Sequence, residues 1–175
     1  IIKAALLKEK TYEKELFGEE LHDGNISFGA LERANKGTLF LDNVSELDWD
    51  VQGKLLRVIQ DGEIERLGSS QTIHLDVRVL ATTNKNLKQE MIEGRFREDL
   101  YYLLTVLNRS LPQLRSHKED IPIYVATFLE QIEERYHQHI EVSDYVMNAF
   151  MAYDWPGNVR ELKNVLERGV ILCEN

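Results

Sequence analysis

Two short apolar runs, each ending in polar residues, restrict the fold more than any other feature of the chain. In "GTLFLDN" (37–43), Thr38 to Leu41 are apolar or β-branched and lead into Asp42 and Asn43. In "VRVLATTN" (77–84), a second apolar run leads into Thr82, Thr83 and Asn84. Both read as buried strands. Between them, "WDVQGKLLRVIQD" (49–61) sets Trp49, Leu55, Leu56 and Ile59 at helical spacing, and Gly62 is a suitable C-terminal stop. "EIERLGSSQTIHLD" alternates around "GSS" and predicts a hairpin. Strand–helix–strand alternation specifies an α/β layer with a parallel sheet. Ligands of such sheets bind at the carboxyl ends of the strands, where Asp42 and Asn84 both fall.

The flanking segments fill in the organisation. "IIKAALLKEKTYEKELFG" opens as a strand or short helix and continues with charged helical periodicity to Gly18; "EELHDGNIS" is polar and turn-rich and reads as a loop; "SFGALERANKG" predicts a short helix ended by Gly37. "NLKQEMIEG" and "REDLYYLLTVL" predict helices. From Glu119 onward the pattern is helical only. Acids and a proline open "EDIPIYVATFLEQIEERYH", Ser143 is placed as an N-cap, and Val159, Leu162, Leu166 and Val170 share one helix face. The expected boundaries are an α/β core over 1–110 and a small helical domain over 111–175.

A chain of 175 residues holds one medium domain or a core with a satellite. The net charge of −9 argues against a general nucleic-acid surface, which needs clustered Lys and Arg. One cysteine, Cys173, excludes an internal disulfide and fits a reducing, cytoplasmic setting. No apolar run approaches the roughly 18 residues of a membrane span. The chain begins and ends in mid-pattern and reads as a piece of a longer protein.

Several residues carry candidate chemistry. Asp42, at a strand end, suits Mg²⁺ held directly or through water, and equally suits a turn cap. Asn84 suits orientation of a water or phosphate, or N-capping of "KNLKQEMIE". Arg95 and Arg97 flank Phe96; alone, they read as surface ion-pairing residues that can also reach a phosphate across a subunit interface. Arg160 follows "WPGN" at a helix start, where a cation is disfavoured, so an anion or an acid is its expected partner. Tyr153 and Trp155 read as packing residues. "HQH" (137–139) puts two imidazoles on different helix faces and does not form a metal set. No G-x-x-x-x-G-K-[ST] loop occurs, so a nucleotide would need residues before Ile1.

Taken in order, "ELFG" (15–18), "GTLFLD" (37–42), "DVQGKLLRVIQDGEIERLG" (50–68), "DVRVLATTN" (76–84), "GRFREDLYY" (94–102), "LPQLRSHKEDIP" (111–122) and "WPGNVRELKNVLERGVIL" (155–172) resemble the AAA+ domain of bacterial enhancer-binding proteins, the NtrC-like activators of sigma-N (sigma-54) RNA polymerase. The resemblance implies a P-loop NTPase-type α/β core without its N-terminal part, followed by a helical lid. It further implies ATP or ADP with Mg²⁺, assembly into a dimer or hexameric ring, the RNA polymerase holoenzyme as partner, and promoter DNA bound by a helix-turn-helix domain outside this chain. By motif, Asp42 matches the Walker B aspartate, Asn84 sensor I, Arg97 the first of two arginines that act in trans, and Arg160 sensor II of the lid. The family's Walker A lysine and its receiver domain, the mark of a two-component response regulator, would also lie outside the chain.

Three positions depart from the family. Asn43 stands where a glutamate polarises the attacking water; an amide cannot accept the proton. The segment after "ELFG" reads "EELHDGNISF", is shorter than the family's and has none of its sigma-contacting GAFTGA. Leu103 replaces the second arginine. The joint expectation is a divergent, VpsR-like member that binds ATP or a second messenger such as cyclic di-GMP, self-associates and hydrolyses ATP poorly or not at all. The alternatives are a working sigma-54 activator ATPase and an oligomerisation module that binds no nucleotide.

Overall fold

A computed structural model describes residues 1–3, 9–137 and 139–172. The chain divides into two compact units, Ile1–Asn108 and Arg109–Asn175. The reading of Cys173, and parts of the readings of the opening segment and of "HQH", lie outside the described residues.

The first unit is built on a three-stranded parallel sheet in the order β1 (Ile2–Lys3), β4 (Gly37–Asp42), β7 (Val77–Ala81). Its register pairs Ile2 with Leu41 and Leu41 with Ala81, so the carboxyl ends of β4 and β7 are level. Leu39 and Leu41 are buried, as the apolar run requires. β7 alternates between half-buried and exposed side chains, with Leu80 43 % exposed. The reading of β7 as a buried strand is thus corrected: among the described residues it is an edge strand with one open face.

Helices α1 (Glu9–Phe17), α2 (Ala30–Arg33), α3 (Trp49–Asp61), α4 (Leu87–Ile92) and α5 (Glu98–Leu104) complete this unit. Its core gathers Leu16, Phe17, Leu31, Leu39, Leu41, Val44, Leu55, Phe96 and Leu100. Gly62 ends α3 at φ 67, and its N–H donates to the Val58 carbonyl. The hairpin β5 (Glu63–Glu65)–β6 (Thr72–His74) follows as read.

Three local readings differ from the structure. "EELHDGNIS" contributes to an antiparallel hairpin, β2 (Gly18–Glu20) and β3 (Ile26–Phe28), rather than to a loop alone. Gly24 at φ 83 and the Asp23 carboxylate, which accepts the Asn25 N–H, close its turn, while Leu67 bonds Glu20 and Gly18 and fixes its base. Gly37 opens β4 instead of ending a helix; the left-handed turn is made one residue earlier, by Lys36 at φ 61. The face of α3 that enters the core carries Val51, Gln52, Leu55 and Val58, and Trp49 is 49 % exposed.

The second unit packs α6 (Ile121–Tyr136), α7 (Asp144–Ala152) and α8 (Asn158–Leu172) around Leu114, Ile121, Val125, Ile132, Trp155, Leu162 and Leu166. Ser143 caps α7 by accepting the Val146 N–H at 3.4 Å. Trp155 is buried, donates its ring N–H to the Phe150 carbonyl at 2.7 Å and meets Phe150 and Tyr153 edge-on, which makes it a packing residue. No described helix is long and apolar enough to cross a membrane.

Candidate functional site

The level ends of β4 and β7 bring Asp42, Asn43 and Thr82 together. The Thr82 hydroxyl donates to Asp42 Oδ1 at 2.7 Å, and the Asn43 N–H donates to the same hydroxyl at 3.3 Å. The Val44 N–H then donates to the Thr82 carbonyl at 2.9 Å. Asn43 sits at φ 60, ψ 54, a left-handed conformation that Asn tolerates better than most residues. Thr83 Oγ1 donates to Ser45 Oγ at 2.9 Å, tying the second strand end to the 3-10 turn Val44–Glu46.

Asp42 therefore presents one oxygen held by a hydroxyl at the edge where ligands of parallel sheets bind. Asn84 is exposed beyond the end of β7. It does not cap α4, since Asn86 does, accepting the Lys88 and Gln89 N–H groups at 3.1 and 3.3 Å. The cap reading of Asn84 is removed. Glu46, the next acid along the chain, pairs with Lys85 at 2.8 Å and holds the lysine pKa above its ordinary value.

Arg97 is held on three sides. Its guanidinium bonds Asp99 in bidentate fashion, at 3.1 and 3.0 Å, and lies 5.3 Å from the centroid of the Trp49 ring. Its backbone N–H donates to Gln52 Oε1 at 2.8 Å. The pair holds Asp99 below the usual carboxylate range, with the Leu100 N–H adding to the effect. Trp49, Arg97, Glu98, Asp99 and Tyr102 line an open groove of about 440 Å³. Arg95 is a surface ion-pairing residue as read: it bonds Glu90 through two nitrogens at 2.8 Å and also pairs with Glu93, while Phe96 is buried between the two arginines. Leu103 is half-buried on α5 and, unlike Tyr101 and Leu104, is not among the side chains packed on the core.

In the second unit, Arg160 is exposed in the first turn of α8. Among the described residues no carboxylate lies within ion-pair distance of it. The acid beside it, Glu161, is turned to the helix start, where it accepts the Gly157 N–H at 2.8 Å and the Tyr153 hydroxyl at 3.4 Å. This offsets part of the charge problem that Arg160 creates at a helix N-terminus. A groove of about 340 Å³ runs along Gly157, Arg160, Asn164 and Arg168. His139 pairs with Glu133 at 2.9 Å, and among the described residues no group of three or more His, Cys, Asp or Glu side chains could hold a metal ion.

Sequence reasoning missed Thr82, Trp49, Asp99 and Gln52. Only Gln52 had a local signal, a polar residue on the apolar face of α3. Thr82 and Trp49 act through partners distant in sequence, and Asp99 acts on Arg97, two residues before it.

Two family models match: the sigma-54 interaction domain over residues 1–109 and the AAA+ ATPase lid domain over residues 115–175. The chain is 43% identical over 179 residues to the phenol regulator MopR of Acinetobacter guillouiae, covering 99% of this chain and 32% of that protein. It is 42% identical over 176 residues to the regulatory protein AtoC of Escherichia coli K12, covering 98% and 38%. Its fold is similar to that of NtrX from Brucella abortus in complex with ADP, at a TM-score of 0.92 and 38% identity, covering 98% of this chain and 38% of NtrX. NtrX in complex with ATP gives a TM-score of 0.91, again with 38% identity and the same coverage. The chain thus spans roughly a third of the length of the curated relatives it matches.

Proposed function

The chain belongs to the sigma-54 interaction family of AAA+ domains and carries that family's lid, and from this premise we propose that it holds a nucleotide and self-associates within a cytoplasmic transcription regulator, with ATP hydrolysis slow or absent. One observation carries the reading: at the end of β4, next to Asp42, stands an amide in place of a base. Glu46, the next acid along the chain, is engaged in an ion pair with Lys85 at 2.8 Å. An amide can orient a water but cannot take its proton.

The remaining groups suit retention of a nucleotide. Asp42 keeps one carboxylate oxygen without a hydrogen bond among the described residues, and a single carboxylate with substrate phosphates is the usual protein share of a Mg²⁺ site. Bound there, Mg²⁺ would neutralise phosphate charge. Asn84 lies just past the end of β7, Arg160 has no ion-pair partner among the described residues and would suit a phosphate, and Arg97, released from Asp99, would serve a neighbouring copy's nucleotide. The NtrX complexes with ADP and ATP support the choice of ligand, and the same cations suit the phosphates of cyclic di-GMP. The β2–β3 hairpin lacks GAFTGA, so we assign regulation to contact with the RNA polymerase holoenzyme by another route, with promoter DNA held by a domain outside this chain.

The test is ATP turnover of the full-length protein. Wild type should show little, and Asn43→Glu with Leu103→Arg should show more. Robust wild-type turnover that Asp42→Ala abolishes would refute the reading in favour of a working sigma-54 activator. That second reading draws on the survival of Asp42, Asn84, Arg97 and Arg160. Melting shifts with ATP, ADP and cyclic di-GMP identify the ligand, and no shift with any of them favours a pure oligomerisation module.

A further inference from the structure

We infer that Gln52 is a positioning residue that ties the placement of Arg97 to the strand-end site. Its side chain is 0 % exposed. The amide nitrogen donates to the Leu47 carbonyl at 2.7 Å and to the Arg95 carbonyl at 3.1 Å. The amide oxygen accepts the Arg97 N–H at 2.8 Å.

Leu47 directly follows the 3-10 turn Val44–Glu46 that leaves Asp42 and Asn43. Arg95 and Arg97 bracket Phe96, whose buried ring anchors the other side of the same segment. One buried amide thus bonds the chain leaving β4 and the chain entering α5. Its two donors and one acceptor meet two carbonyls and one N–H, the complement that only a primary amide of this length supplies. Removing it leaves those backbone groups without partners in a dry site, and the segment that carries Arg97 must shift to find others. The guanidinium then loses its register over Trp49. The role of Arg97 in trans rests on the reading above; its placement by Gln52 does not.

Trp49 reports the placement directly, since it is half-exposed and the Arg97 guanidinium covers one face. The experiment is acrylamide quenching of Trp49 in the full-length protein, isolated by subtracting the Trp49→Phe spectrum. Gln52→Met fills the volume without hydrogen bonds, and Gln52→Asn keeps the amide but is too short to reach all three groups. Arg97→Ala sets the full effect. The expected result is that either variant raises quenching by at least about half of the Arg97→Ala change and that Arg97→Ala adds little on top, the non-additivity of groups that act together. A smaller rise in a folded variant, with Arg97→Ala still producing its whole change, would overturn the inference and leave Gln52 a core residue only. Self-association with ATP, followed by sedimentation, separates the two claims: no ATP effect in wild type rejects the nucleotide reading, while quenching still decides the placement.

Discussion

Asn43→Glu should return a base to the strand end and weaken the fold in the same step. The backbone at 43 is left-handed, at φ 60 and ψ 54. For an L-residue with a Cβ this conformation costs about 1–2 kcal/mol relative to the right-handed one, and Asn escapes part of that penalty. Among the described residues the Asn43 side chain makes no hydrogen bond; the contacts at this position are backbone ones, from its N–H to Thr82 Oγ1 and to its carbonyl from the Glu46 N–H. Substitution therefore removes no side-chain partner, and the whole cost is conformational, about 1 kcal/mol. For a unit of this size that is a fall of roughly 4 °C in melting temperature. Calorimetry of the ligand-free full-length protein measures it. Asn43→Ala should fall by the same amount as Asn43→Glu, because neither side chain favours the left-handed region, and Asn43→Gly should not fall. ATP turnover, measured on the same samples, should rise only in the glutamate variant. If Asn43→Ala melts with wild type, or Asn43→Gly melts as low as Asn43→Ala, the conformational argument is wrong.

Further outcomes follow from other parts of the structure. Arg66 bonds Glu32 through two nitrogens at 3.0 and 2.6 Å with both side chains nearly buried, so Arg66→Met, which strands the Glu32 carboxylate, should lower stability by about 3 kcal/mol in urea unfolding, and adding Glu32→Gln should recover part of it. Leu162 is fully buried in the helical unit, and Leu162→Ala should destabilise it by about 3 kcal/mol, read as an earlier loss of helical circular dichroism on heating. Asp99 titrates below its ordinary range because Arg97 bonds it, so the contribution of the pair is present above that ordinary range and lost as pH falls through the depressed value. Trp49 fluorescence should accordingly stay flat as pH passes about 4, change only below it, and lose this dependence in Asp99→Asn.

What the sequence disclosed was whatever local chemistry determines. β4, α3 with its Gly62 stop, and α7 with its Ser143 cap were legible because period and cap lie within a few residues of each other. The β2–β3 hairpin was not: its strands are three residues long, one is "GEE", and its base is pinned by Leu67. At α4 the sequence pointed to Asn84 as the cap, and the observed bonds place the cap two residues later, at Asn86. Trp49 and Gln52 were inverted for a related reason. Periodicity assigns a helix face by hydrophobicity, whereas here the Arg97 segment demands an amide inside and a ring outside. The candidate site divides the same way. Asp42 and Asn84 could be placed by strand ends alone, but the hold of Thr82 on Asp42 and of Gln52 on Arg97 depends on pairing across 40 and 45 residues of sequence.

That division bears on what a change at one position can do. Asp42 is held by Thr82, Arg97 by Gln52, Asp99 and Trp49, and the start of α8 by Glu161. None of these contacts passes through the Asn43 side chain. The chain must turn sharply at 43 so that Val44 can bond back to Thr82, and Asn meets that demand more readily than a glutamate. Two requirements thus compete at one residue: water activation calls for a carboxylate, and the turn favours Asn or Gly. On the proposed reading, a chain under no pressure to hydrolyse relaxes toward the second while keeping the contacts that hold Asp42 and Arg97. At the end of β4 the structure shows Asp42 still held by Thr82 and an amide in the left-handed turn at 43, the arrangement on which the proposed loss of hydrolysis rests.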